Sequence, residues 1–97
     1  MEKSRLTPLN WIFIKLGNNE VYLLTTSKNE EIRFTTNIVT CYNTKDYYLF
    51  KTENDQFFCE KDRWGVNDEI LEKLKHYFGE IKFSILDKND NYEKLFD

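Results

Sequence analysis

The chain contains few of the residues from which mobile loops and phosphate cradles are made. Its 97 residues include three glycines and one proline. Gly17, Gly65 and Gly79 are isolated, and none stands between a strand and a helix at the spacing of a phosphate-binding loop. Nucleotide-dependent chemistry and a linker-like chain are therefore disfavoured. Turns must be made by Asn, Asp, Lys and Thr instead.

Histidine and cysteine are equally scarce, which limits the chemistry that the chain can perform. His76 is the only histidine, and its place near the end of a predicted helix suits a partner of the helix dipole. Cys41 and Cys59 have no CxxC spacing. Strand alternation puts Cys59 on the same side as Phe57, so we predict buried, unreactive thiols in a reducing compartment. No other pattern completes a catalytic or metal-binding set, and we expect no enzyme activity, no metal and no cofactor.

Long apolar runs are also missing. No segment approaches the roughly 18 apolar residues of a membrane helix, and the first residues are charged instead of apolar. We expect one cytoplasmic domain spanning residues 1–97, because a chain of this length supports one core.

Aromatic residues are abundant, at 16% of the chain, and they recur in short runs separated by polar turns. The runs are 10–16, 20–26, 32–35, 38–42, 47–51 and 56–60, and a hairpin with a Gly/Asn turn joins the first two. After them, Ile81, Phe83 and Ile85 alternate with polar residues as in a strand. The sequence predicts an α+β fold: one curved, mostly antiparallel sheet of five to six strands packed against a single main helix at about 67–78, with a final strand at 81–86.

The helix has the clearest local signals. Asn67 can cap its start, and Gly79 suits the left-handed residue just past its end. Its apolar residues form one stripe for the core: Ile70, Leu71, Leu74 and Phe78.

Charge is distributed unevenly along the chain. Residues 1–45 hold six Lys/Arg and four Asp/Glu, whereas residues 46–97 hold eight and thirteen. Many of these acids fall between positions 53 and 72: Glu53, Asp55, Glu60, Asp62, Asp68, Glu69 and Glu72. If they converge, they form a negative surface that steers a basic partner; the alternative is an ordinary solvated face with local capping roles.

Trp64 stands in the charged connection between the strands and the helix, where no apolar period explains it. It fits either a hydrophobic staple that packs on the helix or an exposed interface anchor.

The order of runs from Asn37 through the helix to Ser84 resembles the LytTR-type DNA-binding domain of bacterial response regulators. This resemblance implies binding to DNA. That family carries basic, DNA-contacting residues in its final strand region, where this sequence has Glu80, Lys82, Phe83 and Asp87.

Together these features favour a small acidic protein-binding inhibitor, of the type of immunity proteins or phage inhibitors, which blocks a basic, nucleic-acid-processing partner by occlusion. The predicted partner-binding residues are Tyr47, Tyr48, Asp62, Trp64, Asp68, Glu69 and Glu72. The alternative is a LytTR-like nucleic-acid-binding regulator, for which Lys3, Arg5, Lys15, Lys28, Arg33 and Lys45 should share one face. A third hypothesis is an adaptor that pairs through an exposed strand edge.

Overall fold

A computed structural model describes residues 4–29 and 31–96 of the chain. It contains eight strands and two α-helices in the order β1 (Ser4–Leu6), β2 (Asn10–Leu16), β3 (Val21–Thr26), β4 (Ile32–Thr35), β5 (Thr40–Asn43), β6 (Tyr47–Lys51), β7 (Asp55–Glu60), α1 (Asp68–Phe78), β8 (Phe83–Leu86) and α2 (Tyr92–Leu95). A 3₁₀ turn at Lys61–Arg63 follows β7. The fold is α+β with one main helix, as the sequence predicts.

The strands form two sheets, which corrects the prediction of one curved sheet of five to six strands. The first sheet has the order β1-β7-β6-β5, and the second has the order β4-β3-β2-β8. Neighbours are antiparallel except β1 and β7, which run parallel. The alternation of apolar residues defines each strand's two faces but does not say which strands pair, and this is why the sheet count was wrong.

The two sheets and helix α1 form three layers, which two apolar clusters hold together. The cluster between the sheets includes Trp11, Phe13, Phe50 and Phe57. The opposite face of β2 carries Ile12 and Ile14, which pack with Leu74 of α1. Because successive side chains of a strand point to opposite faces, β2 is buried on both sides. The second sheet is therefore the middle layer, between α1 and the first sheet.

Helix α1 begins and ends where its residues predict. The Asn67 side chain accepts a hydrogen bond from the Ile70 amide at 2.9 Å, and Gly79 has a φ of 59° at the other end. Leu74 is fully buried, with Ile70, Leu71 and Phe78 packed around it.

The last strand differs from the prediction of 81–86. β8 begins at Phe83, and two residues predicted to face inward, Ile81 and Ile85, are 55% and 37% exposed. β8 is the edge of the second sheet, so Ile85 has a neighbouring strand on one side only.

The segment after β8 closes one end of the space between the sheets. Tyr92 of α2 is buried against Trp11, Phe13, Tyr48 and Phe50. Its hydroxyl donates a hydrogen bond to the Asp87 carbonyl. A four-residue helix is therefore part of the core, because its one large ring fills the gap between the sheets.

Candidate functional site

The structure places the predicted partner-binding residues in three different surroundings. Asp68, Glu69 and Glu72 are exposed on α1, in the layer on the far side of the second sheet from Tyr47. Glu69 lies 4.0 Å from Lys73, and Glu72 lies 3.4 Å from Lys75. Glu69 and Glu72 are thus partly neutralised within their own helix, and none of the three acids is brought together with the tyrosines.

Tyr48 and Trp64 both pack against the core. Tyr48 is 5% exposed, and its hydroxyl donates to the Lys88 carbonyl at 3.1 Å. Trp64 is half-buried and packs against both apolar clusters. Its buried indole N–H makes no hydrogen bond of normal geometry. Burial raises the pKa of Tyr92, and an interaction of the Tyr92 hydroxyl with the Trp64 side chain opposes that shift. The contacts of Trp64 are those of the staple, one of the two roles that its position in the sequence allows.

Tyr47 lies on a face of the first sheet that sequence reasoning did not single out. Phe57 and Cys59 of β7 point into the core, so Phe58 between them points outward. Leu49 is opposite Phe58 on β6, and Tyr42 is opposite Leu49 on β5. The Tyr47 ring lies 5.6 Å from the Phe58 ring. We call Tyr42, Tyr47, Leu49 and Phe58 the aromatic strip.

No helix of the described chain covers the aromatic strip. Helix α1 packs on the second sheet, and α2 packs between the sheets. Tyr42 is 52% exposed, while the other members of the strip are half-buried by each other and by their neighbours. The alternation in β6 and β7 contained the signal for this surface, because the residues between core positions must point outward.

Two cations lie over rings of the aromatic strip. The Arg5 guanidinium lies 4.8 Å from the centre of the Phe58 ring, and the Lys51 ammonium lies 5.1 Å from that of Tyr42. Both distances are in the range of cation–π attraction.

The acids lie at the end of the strip next to Tyr47. Glu60 is opposite Tyr47 in the β6–β7 pair, and the Asp46 carbonyl accepts a hydrogen bond from the Lys61 amide at 2.9 Å. Asp62 follows in the 3₁₀ turn, and all three acidic residues are exposed. We call Asp46, Glu60 and Asp62 the acidic end.

Two nearby cations balance the acidic end only in part. The Lys61 ammonium is held by Asn43 Oδ1 at 2.8 Å and the Thr44 carbonyl at 2.7 Å. Arg63 approaches Glu60 at 3.9 Å, and both of these side chains are about half exposed. Tyr47 and Asp62 are thus the two predicted residues that the structure places beside one surface.

The two thiols are poor nucleophiles. Burial raises the pKa of Cys41 to about 11, and it raises the pKa of Cys59 well above its ordinary value. Both therefore stay protonated at neutral pH. Within residues 4–29 and 31–96 no group of three or more His, Cys, Asp or Glu is arranged to hold a metal ion.

The cations expected to form a nucleic-acid-binding face have unlike positions. Arg5 lies on the outer face of the first sheet, whereas Lys15 is a half-buried residue of β2 in the middle layer. Arg33 is engaged by Asp55 at 3.1 Å. Lys28 and Lys45 lie in turns of the described chain, and Lys3 is outside the described residues.

Comparison with known proteins found no match to this chain among protein families, curated proteins or solved structures. In the part of the chain that the structure describes, no helix has the length and apolar character needed to cross a membrane.

Proposed function

We propose that this chain is a small protein-binding inhibitor, whose aromatic strip and acidic end occlude the basic surface of a nucleic-acid-processing partner. The uncovered outer face of the first sheet is the observation that carries this proposal. Tyrosine and phenylalanine are enriched where protein interfaces are fully desolvated, and charged residues are typical of the rim. The strip and its border have this composition.

Tyr47 and Phe58 supply the apolar anchor of the proposed contact. Their rings lie side by side on neighbouring strands, so the free protein already holds them in place and little side-chain entropy is lost on binding. The backbone hydrogen bonds of β6 and β7 keep this surface rigid.

The acidic end orients the partner. Three exposed carboxylates at one end of an apolar strip attract a cationic surface and fix the orientation in which it docks. A partner that handles nucleic acid has such a surface for phosphate groups. Blocking this surface would inhibit the partner without any catalytic residue in the inhibitor.

A pair of matched tyrosine substitutions tests the proposal. Tyr47→Ala removes a ring from the strip, and Tyr77→Ala removes the same ring from α1, where Tyr77 is 71% exposed. Each variant and the wild type is immobilised and exposed to lysate of the native host. We expect the wild type and Tyr77→Ala to retain one stoichiometric basic protein, and Tyr47→Ala to bind that purified protein at least about tenfold more weakly.

Charge substitutions make the test more specific. Neutralising Asp46, Glu60 and Asp62 together should slow association and reduce its dependence on salt. The same treatment of Asp68, Glu69 and Glu72 should change neither, because these acids lie in another layer. Equal losses in both triple variants would contradict the proposed surface.

Nucleic-acid binding is the second candidate, favoured by the positions of Arg5 and Lys51 over aromatic rings of the same face. Aromatic rings with flanking cations also suit stacked bases. Retention of nucleic acid that is released steeply as salt rises, in place of a protein, would support this candidate and contradict the inhibitor.

A further inference from the structure

The free edge of the second sheet is built from apolar residues and is open to pairing. β8 pairs with β2 on one side, and no strand of the described chain pairs with it on the other. Ile85 at this edge and Ile81 just before it are both exposed. Native proteins commonly protect such an edge, because its unpaired amides and carbonyls can bind another strand.

The backbone register shows which groups of β8 are free. The Gly17 amide donates to the Lys82 carbonyl at 3.1 Å, and Lys15 is opposite Ser84. Since bonded pairs recur at every second residue of an antiparallel ladder, the groups of Ser84 and Leu86 point toward β2. The amides and carbonyls of Phe83 and Ile85 therefore point to the open edge.

The other three edges in the described part of the chain are shorter or more protected. Contacts from α2 reach β5, and β1 has three residues. On β4 the apolar side chain of Phe34 is covered by the stacked ring of Tyr77 at 5.1 Å. β8 thus combines free backbone groups with uncovered apolar side chains.

We propose that β8 pairs antiparallel with β8 of a second copy of this chain, which joins the two second sheets into one sheet of eight strands. A two-fold axis perpendicular to the sheet leaves α1 of both copies on the same side. Opposing residues must share a face of the sheet, so one residue of β8 lies opposite its own copy and the axis runs midway between the two.

Side-chain complementarity selects Ser84 as the residue that lies opposite its own copy. In this register Phe83 of each copy is opposite Ile85 of the other, so that two apolar pairs cover both copies of Ile85. Glu80 of each copy is then opposite Lys88 of the other, so that a negative charge faces a positive one. If Ile85 instead lay opposite its own copy, Phe83 would be opposite Asp87 and Lys82 opposite Lys88. Both apolar and charge complementarity therefore favour the Ser84 register.

Light scattering after size exclusion, over a concentration series, tests the dimer. We expect the wild type to approach twice the mass of one chain as its concentration rises. Ile85→Lys should be monomeric throughout, since it puts a charge at the pairing edge. Val39→Lys is the matched control, because Val39 is 56% exposed and directly precedes β5 in the other sheet. This variant should dimerise normally. A monomeric wild type, or an Ile85→Lys variant with wild-type mass, overturns the proposal.

Cross-linking tests the register independently. Ser84 of one copy would face Ser84 of the other at a position without hydrogen bonds, where side chains are closest. In a Cys41→Ser background, Ser84→Cys should form a disulfide-linked dimer under mild oxidation, and it should do so faster than Ile85→Cys. Equal or faster cross-linking of Ile85→Cys overturns the Ser84-centred interface. Neither measurement depends on whether the aromatic strip binds a partner.

Discussion

The indole N–H of Trp11 donates a 2.7 Å hydrogen bond to the carbonyl of Glu60. This bond joins β2 of the middle layer to the end of β7 in the first sheet. The adjacent backbone adds a second link, since the Gly65 amide donates to the Trp11 carbonyl at 2.9 Å. Because Glu60 is also opposite Tyr47, the same contacts that hold the layers together fix the acidic end of the proposed binding surface.

Trp64 offers a comparison for the Trp11 hydrogen bond, because the N–H of Trp64 makes no hydrogen bond of normal geometry. Trp11→Phe should lower the free energy of unfolding by about 2–4 kcal/mol, because it removes a buried hydrogen bond and leaves a cavity. Trp64→Phe should cost less, since the donor that it removes makes no well-formed hydrogen bond and Trp64 is only half-buried. Urea denaturation of both variants checks this order. A larger loss for Trp64→Phe would contradict it.

A substitution at Trp64 distinguishes the two roles proposed for this residue, a hydrophobic staple and an interface anchor. Since Trp64 packs against both apolar clusters, Trp64→Ala should destabilise the fold by about 2–4 kcal/mol. Its folded fraction should bind the partner with unchanged affinity. Titration at a temperature where the variant is folded separates the two effects. Weaker binding by a fully folded variant would instead identify Trp64 as an interface anchor.

Helix α2 should be essential to stability despite its length. Tyr92→Ala removes a ring that contacts four aromatic core residues, and we expect a loss of about 3–5 kcal/mol in the free energy of unfolding. Leu95→Ala on the same helix should change it by less than about 1 kcal/mol, because Leu95 is 39% exposed. Thermal unfolding of the two variants should show this contrast, and similar melting temperatures would argue against a structural role for α2.

Stability should fall in alkaline solution, and Cys41 should account for part of the loss. Its ordinary pKa of 9.0 is raised to about 11 in the fold by burial. Between these values the unfolded chain loses the thiol proton while the folded chain keeps it, so stability is full below pH 9 and declines as pH rises toward 11. Burial also raises the pKa of Cys59, Tyr48 and Tyr92, which act in the same direction.

A Cys41→Ser variant isolates this effect. Denaturant midpoints measured at pH 8 and pH 10 should differ less for Cys41→Ser than for the wild type. An equal decline in both proteins would show that other groups cause the alkaline loss. Thiol labelling at pH 8 gives a second measurement, in which Cys59 should react only on unfolding because it is fully buried.

Local order follows directly from the residues. The Asn67 cap, the apolar stripe around Leu74 and Gly79 determine α1, because each acts within a few positions of the helix it delimits. Alternation in the aromatic runs likewise predicted β6 and β7 and the inward direction of Phe57 and Cys59. These features depend on neighbours in sequence, and the sequence contains them completely.

Tertiary structure decided how the strands divide between the two sheets and which of their faces stay exposed. The parallel pairing of β1 with β7, the two-sided burial of β2 and the insertion of Tyr92 all join residues distant in sequence, which alternation cannot specify. The same pairing separated Tyr47 from the helix acids and put Tyr42, Leu49 and Phe58 beside it. A strand's pattern determines its two faces, but only the stacking of layers decides which face meets solvent.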